Sequence, residues 1–158
     1  MPSHTAVMSV RSVNPLRLLH GAFAWAERFP LSLLLLMSRI GVGAVFFKSG
    51  LVKIASWQAT VQLFAFEYQV PLLPPEIAAI LAATVELSAP VLLFAGFGAR
   101  FAAAAMLGMT LVIQVFVYPA NWAEHLTWAS LLGFILTRGA GALSIDRWLA
   151  RRFLPGGR

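Results

Sequence analysis

The 158-residue sequence predicts an all-α fold: an integral membrane, four-helix, up-down-up-down bundle with an amphipathic surface helix at each end. Composition is the first observation behind it. Hydrophobic residues make up 59% and charged residues 11%, and the mean hydropathy is +0.80. Soluble domains carry about a quarter charged residues, so this much apolar surface exceeds one aqueous core and must face lipid. The second is punctuation, since Pro and Gly clusters divide the apolar sequence into runs of membrane-crossing length. The third is charge placement, because the net charge of +6 sits mainly at the ends of those runs. That pattern fits positive-inside topology and argues against nucleic acid as a partner.

In chain order, residues 1–13 lack any period and are expected to be disordered. Asn14 and Pro15 suit an N-cap and first helical position. Leu16, Leu19, Phe23 and Ala26 then fall on one face of a short amphipathic helix, with Arg17 and Arg28 off it. Residues 1–30 do not have the plan of a cleavable signal peptide and form the tail and first surface helix.

The four-span domain is expected over 31–141. The first span runs from Leu31 to about residue 54, opened by Pro30. Residues 55–75 are mixed, and Ser56 is expected to cap a short interfacial helix with Trp57, Val61, Phe64 and Tyr68 along one side. The second span covers about 76–97 and ends in the Gly96-Phe97-Gly98 turn. The third covers 99–118, where Ala102 to Ala105 and Gly108 allow close packing. The fourth covers 121–138, with Asn121 and Glu124 as a capping pair. Over 142–158, Ile145, Trp148, Leu149 and Phe153 oppose Arg147, Arg151 and Arg152 on a second surface helix. Arginines crowd both terminal segments and the 98–100 turn, while the other side of the membrane holds Lys53 with Lys48 a turn deeper. Both termini are therefore expected in the cytoplasm.

Chemistry is sought among the polar residues inside the spans, because intramembrane charge is costly and marks function or a specific partner. At about 100° per residue, Arg39, Gly43, Phe46, Gly50 and Lys53 share a band of roughly 80° on the first helix, and Lys48 points away to snorkel. Arg39 lies about 12 Å from the cytoplasmic end and Glu86 about 16 Å from it on the antiparallel neighbour, so the two are expected to form an ion pair. The pair would either serve function or fix helix register. Gln114 would add hydrogen bonds to this seam or bridge to a neighbouring helix.

The outer end gathers Lys53, Glu67, Tyr68, Tyr118, Trp122, Glu124, His125 and Trp128. Trp122, His125 and Trp128 recur at three-residue spacing, on one helix face. Two readings stand: a small pocket for an aromatic, quinone-like or metal-linked ligand, or the more ordinary aromatic belt with a helix cap. His4, His20 and His125 have no ligand spacing for a metal, and none is assigned. The absence of cysteine excludes thiolate metal sites and thiol redox chemistry carried by this chain. Gly139-Ala140-Gly141 lacks the strand and third glycine of a dinucleotide loop, and Ser49 has no His or Asp arranged for nucleophilic catalysis.

In order and spacing, these residues resemble the DoxX family of small four-span bacterial membrane proteins, over roughly residues 31–149. The resemblance is carried by Arg39, by Ser49-Gly50-Leu51-Val52-Lys53, by Val85-Glu86-Leu87 and by Gly96-Phe97-Gly98-Ala99-Arg100. It closes with Gly139-Ala140-Gly141-Ala142-Leu143-Ser144-Ile145-Asp146, where the family often has proline in place of Ala140. Val115 to Pro119 with Trp122, His125 and Trp128 is similar to a narrower subgroup encoded beside small metal-stress peptide systems. The resemblance implies the bacterial inner membrane and an accessory or quinone-interacting subunit of a redox or oxidative-stress system. With neither cysteine nor cofactor motif, such a chain would not move electrons alone. Quinone is the one cofactor implied, and a protein partner or a second copy of the chain is expected. The alternatives are a non-enzymatic protein of copper stress, with Tyr118, Trp122 and His125 as its contact surface, and a small transporter using Glu86 as a proton-linked group.

Overall fold

The structure is a computed structural model, and the residues it describes are 16, 20, 23 and 27–153. The chain divides into two compact units, residues 1–30 and 31–158. In the first, Leu16, His20, Phe23 and Glu27 are helical and exposed. The expected disorder over 1–13, the Asn14-Pro15 start, and Leu19 and Ala26 of the apolar face lie outside the described residues.

The second unit is all-helical among the described residues. Helix α1 spans Leu31–Ala55. Helix α2, Trp57–Leu63, runs on into a π-helical turn at Phe64–Tyr68. Helix α3 covers Pro75–Ala95, and α4 covers Ala99–Val112, continuing into a second π-helical turn at Ile113–Val117. A 3-10 turn at Pro119–Asn121 leads into α5, Trp122–Arg138, and α6 is Ile145–Phe153.

Local chemistry sets the boundaries. The second span ends two residues before its expected limit because Gly96 takes a left-handed conformation at φ 66°, which glycine adopts without a Cβ penalty. Helix α2 stops where Gln69 turns left-handed at φ 41°. Ser56 and Asn121 occupy N-cap positions, but neither side chain makes a cap hydrogen bond. At Asn121 the 3-10 turn feeds directly into α5, so the expected pairing with Glu124 does not form. Ser144 does cap α6, its hydroxyl accepting from Arg147 N at 3.2 Å.

Helix α1 runs antiparallel to α3, with Gly43 opposite Phe94 and Gly50 opposite Glu86 and Leu87. Helices α4 and α5 pair likewise, Gln114 meeting His125 and Arg100 meeting Thr137. Val42, Phe46, Leu93, Met106, Leu132 and Ile135 form the core where α1, α3, α4 and α5 meet. Phe64 packs on Ala78 and Ala79, with Trp57, Val61 and Tyr68 beside it, so the expected side of α2 is turned onto α3.

Helices α1, α3 and the stretch Ala99–Val117 are long and apolar enough to cross a membrane. Helix α5 has 17 residues, about 26 Å at 1.5 Å per residue, short of a hydrocarbon core of about 30 Å. Outward-facing Met37, Val52, Phe101, Leu111 and Leu126 are more than half exposed. A surface this apolar belongs against lipid.

Candidate functional site

The polar residues of α1 belong to two separate centres. At one end Arg39 is 1% exposed. Its Nε donates to Leu93 O at 2.8 Å, Nη2 to Phe94 O at 3.2 Å, and Nη1 to Leu143 O at 2.9 Å and to Ala140 O. A helix leaves its last carbonyls unsatisfied and carries partial negative charge there. The guanidinium fork answers both needs of α3 while holding the 139–143 segment against it. Asp146 completes the junction, accepting from Gly98 N at 2.8 Å and Ala99 N at 3.2 Å at the start of α4. Its own N–H donates to Gly96 O.

Arg39 therefore does not pair with Glu86, and that expectation is corrected. The register of α1 against α3 sets Arg39 level with Leu93, seven residues or about 10 Å along the helix from Glu86. Counting depth from each helix end could not see this register.

The partner of Glu86 is Lys53. Nζ lies 2.8 Å from both carboxylate oxygens and donates to Oε1. Ser49 Oγ also donates to Oε1 at 3.1 Å and accepts from Lys53 Nζ at 3.0 Å. Oε2 accepts no hydrogen bond in spite of its closeness to Nζ; its contact with the ammonium is electrostatic. Gly50 makes this approach possible, since a Cβ there would stand 2.9 Å from Leu87 and 3.0 Å from the Cβ of Glu86. Pro90 adds a second local feature: it has no N–H to offer the Glu86 carbonyl four residues back.

Lys53, Glu86 and Ser49 form part of the wall of a cavity of about 490 Å³. Leu81, Val85, Met109, Val112 and Ile113 make up much of its apolar lining, and Tyr68, Tyr118, Asn121, Glu124, His125 and Trp128 complete the ring of larger and polar side chains. The two π-helical turns flank it. Each closes with an i to i+5 bond, Gln69 N to Phe64 O and Tyr118 N to Ile113 O, and a single wide turn of this kind often serves a site by re-aiming its side chains. Here they bring Tyr68 and Tyr118 edge to face at 5.7 Å. The Tyr118 hydroxyl donates to Glu67 Oε1, and this bond, together with partial burial, pushes the phenol's pKa upward. His125 is buried, with Nδ1 2.7 Å from Gln114 Oε1 and the ring 5.2 Å from Trp128.

Of the expected residues, Lys53, Glu86, Tyr118, Glu124, His125 and Trp128 meet at this one cavity. Gln114 and Glu67 stand behind it, holding His125 and Tyr118. Gly50 sets the helix separation, Arg39 belongs to the opposite centre, and Trp122 is 62% exposed and lies off the lining. Ser49 and Asp146 were missed as polar partners. Ser49 was legible as a residue four before Lys53 on one helix face; Asp146 carried no local signal of its distant target. Among the described residues, no three His, Asp or Glu side chains come together as metal ligands. A quinone-type group fits the lining, with apolar walls for a ring and chain and hydrogen-bonding groups for a polar head.

No similar curated protein and no similar solved structure was found. The DoxX family model matches residues 34–119, more than half of the chain. The match takes in Arg39, the Ser49–Lys53 turn, Glu86 and the 96–100 turn, and stops before α5. With these residues in family order over a helical, membrane-suited chain, the protein is a member of the DoxX family.

Proposed function

We propose that this chain is a four-span inner-membrane protein that holds an isoprenoid quinone or a close amphipathic analogue, serving as an accessory subunit of a membrane redox or oxidative-stress system. The cavity is the observation that carries the reading: about 490 Å³, largely apolar, with Lys53, Glu86, His125 and Asn121 among its lining. Sites for small amphipathic ligands combine an apolar wall with a few placed polar groups in this way. Quinone bound there would supply two-electron redox chemistry to a partner, while this chain's residues bind and orient its head. Lys53 keeps one N–H beyond those given to Ser49 and Glu86 and offers it as a donor, and Glu86 fixes the ammonium in place.

The fourth span is α5 together with the preceding 3-10 turn. At about 2.0 Å per residue the turn's three residues bring the length to roughly 31 Å. Arg100, Arg138, Arg147, Arg151 and Arg152 lie in the turn after α3, at the end of α5 and in α6, supporting a cytoplasmic face at the Arg39 end. The cavity then opens toward the outer face.

Extraction of protein purified in native-lipid nanodiscs, followed by mass spectrometry of the extract, tests this. Stoichiometric quinone is expected with the natural chain. A folded Lys53→Met/Glu86→Gln variant, which lacks the ammonium donor, should retain about tenfold less, the loss of one charge-assisted hydrogen bond of roughly 1.4 kcal/mol. Quinone-free protein that also refuses added quinone would overturn the reading.

A further inference from the structure

Pro119, Gln114 and His125 form a hydrogen-bond chain whose direction chemistry fixes. The Pro119 carbonyl can only accept, and the Gln114 amide lies 2.9 Å from it, so the group facing it is the NH2. The carboxamide oxygen is thereby turned to His125 Nδ1 at 2.7 Å. That oxygen also can only accept, so Nδ1 carries a proton. In the neutral ring the lone pair is left on Nε2.

Nε2 has no hydrogen bond among the described residues, yet it is not among the sealed polar atoms that lack a partner. It is not fully sealed, and His125 forms part of the cavity wall. Trp128 against the ring at 5.2 Å helps hold its plane. The result is a positioned acceptor facing an apolar chamber. Of the other polar groups there, the Tyr118 proton is on Glu67 and two of the Lys53 N–H groups are on Ser49 and Glu86, while the Asn121 and Glu124 side chains have no hydrogen bond among the described residues.

We infer that His125 makes this cavity selective for a head group bearing an aromatic hydroxyl, so that it takes the hydroquinone in preference to the quinone. The inference rests on the ligand class proposed above. A hydroquinone O–H donates to Nε2. A quinone carbonyl has no proton to give, so its binding would strip water from Nε2 without replacing the bond, and a buried acceptor left unpaired costs affinity. His125 acts here as a specificity-determining residue, and Gln114 positions it by fixing the tautomer.

Equilibrium binding of a short-chain ubiquinol and the matching ubiquinone to the full chain in nanodiscs tests this. The natural protein should bind the ubiquinol about tenfold tighter, the size of one hydrogen bond in an apolar site. Nitrogen-15 histidine spectra should show the unprotonated Nε2 resonance shifting with ubiquinol and staying in place with ubiquinone. His125→Phe should bring the two affinities together; if that variant fails to fold, Gln114→Leu, which frees the tautomer, should narrow the gap. Equal affinities, tighter ubiquinone binding, or a preference that survives in a folded His125→Phe protein would overturn the inference while leaving the ligand class standing. Binding of neither compound would overturn both.

Discussion

A carboxylate buried to 4% exposure in an apolar wall is tolerable only while its charge is answered, and at Glu86 one ammonium and one hydroxyl answer it. Removing one partner of such a pair leaves an uncompensated charge and costs about 3–5 kcal/mol, whereas removing both can be nearly neutral. Lys53→Met should therefore lower the thermal unfolding midpoint strongly, and the double variant Lys53→Met/Glu86→Gln should recover most of the loss. A single variant as stable as the natural chain would show that the pair contributes little. Gly50 sits under the same pair. Gly50→Val would push side-chain atoms into Leu87 and Glu86, where a Cβ alone already falls at 2.9–3.0 Å. Overpacking of this kind costs about 1–3 kcal/mol, readable as a lower midpoint.

Among the elements, the boundaries were the most legible part of the sequence. Pro30, Pro75, the Gly96-Phe97-Gly98 turn and Pro119 act locally, and the helices begin and end within one or two residues of them. The two π-helical turns were not legible, because a single wide turn leaves the hydropathy pattern intact. Nor was the register of α1 on α3, which depends on Gly43 and Gly50 each meeting a particular partner. That one register moved Arg39 away from Glu86 and put Lys53 there instead. It also made Arg39 a clamp between α3 and the segment leading to α6. A lysine has a single ammonium and cannot reproduce a planar fork that meets four carbonyls from two segments. Arg39→Lys should therefore loosen α6, and tryptic cleavage at Arg147 or Arg151 should quicken severalfold. An unchanged cleavage rate would mean that Asp146 on the α4 N-terminus suffices to hold the segment.

For the molecule as a whole, the two polar centres face different environments if the charge pattern sets orientation. The Arg39 end adjoins the turn bearing Arg100 and the helix bearing Arg147, Arg151 and Arg152, while the Lys53 end leads into α2 and the 69–74 loop, where Leu72 is fully exposed. Positive charge is retained on the cytoplasmic side, so that loop and the nearby cavity should face outward. The chain offers a direct test because it contains no cysteine, and any introduced thiol is the sole label site. A membrane-impermeant maleimide applied to intact cells should label Leu72→Cys readily and Arg147→Cys only after permeabilisation. The reverse pattern would turn the cavity toward the cytoplasm, and the ligand would then have to enter from that side. Labelling of both positions in intact cells would place them on one face. Among the described residues, three helices meet the length and apolarity of a span, so this result would require α5 to lie outside the membrane. One pair of thiols thus decides both orientation and whether the crossings between 72 and 147 are odd or even: opposite sides require an odd number, which α3, the Ala99–Val117 helix and α5 together supply.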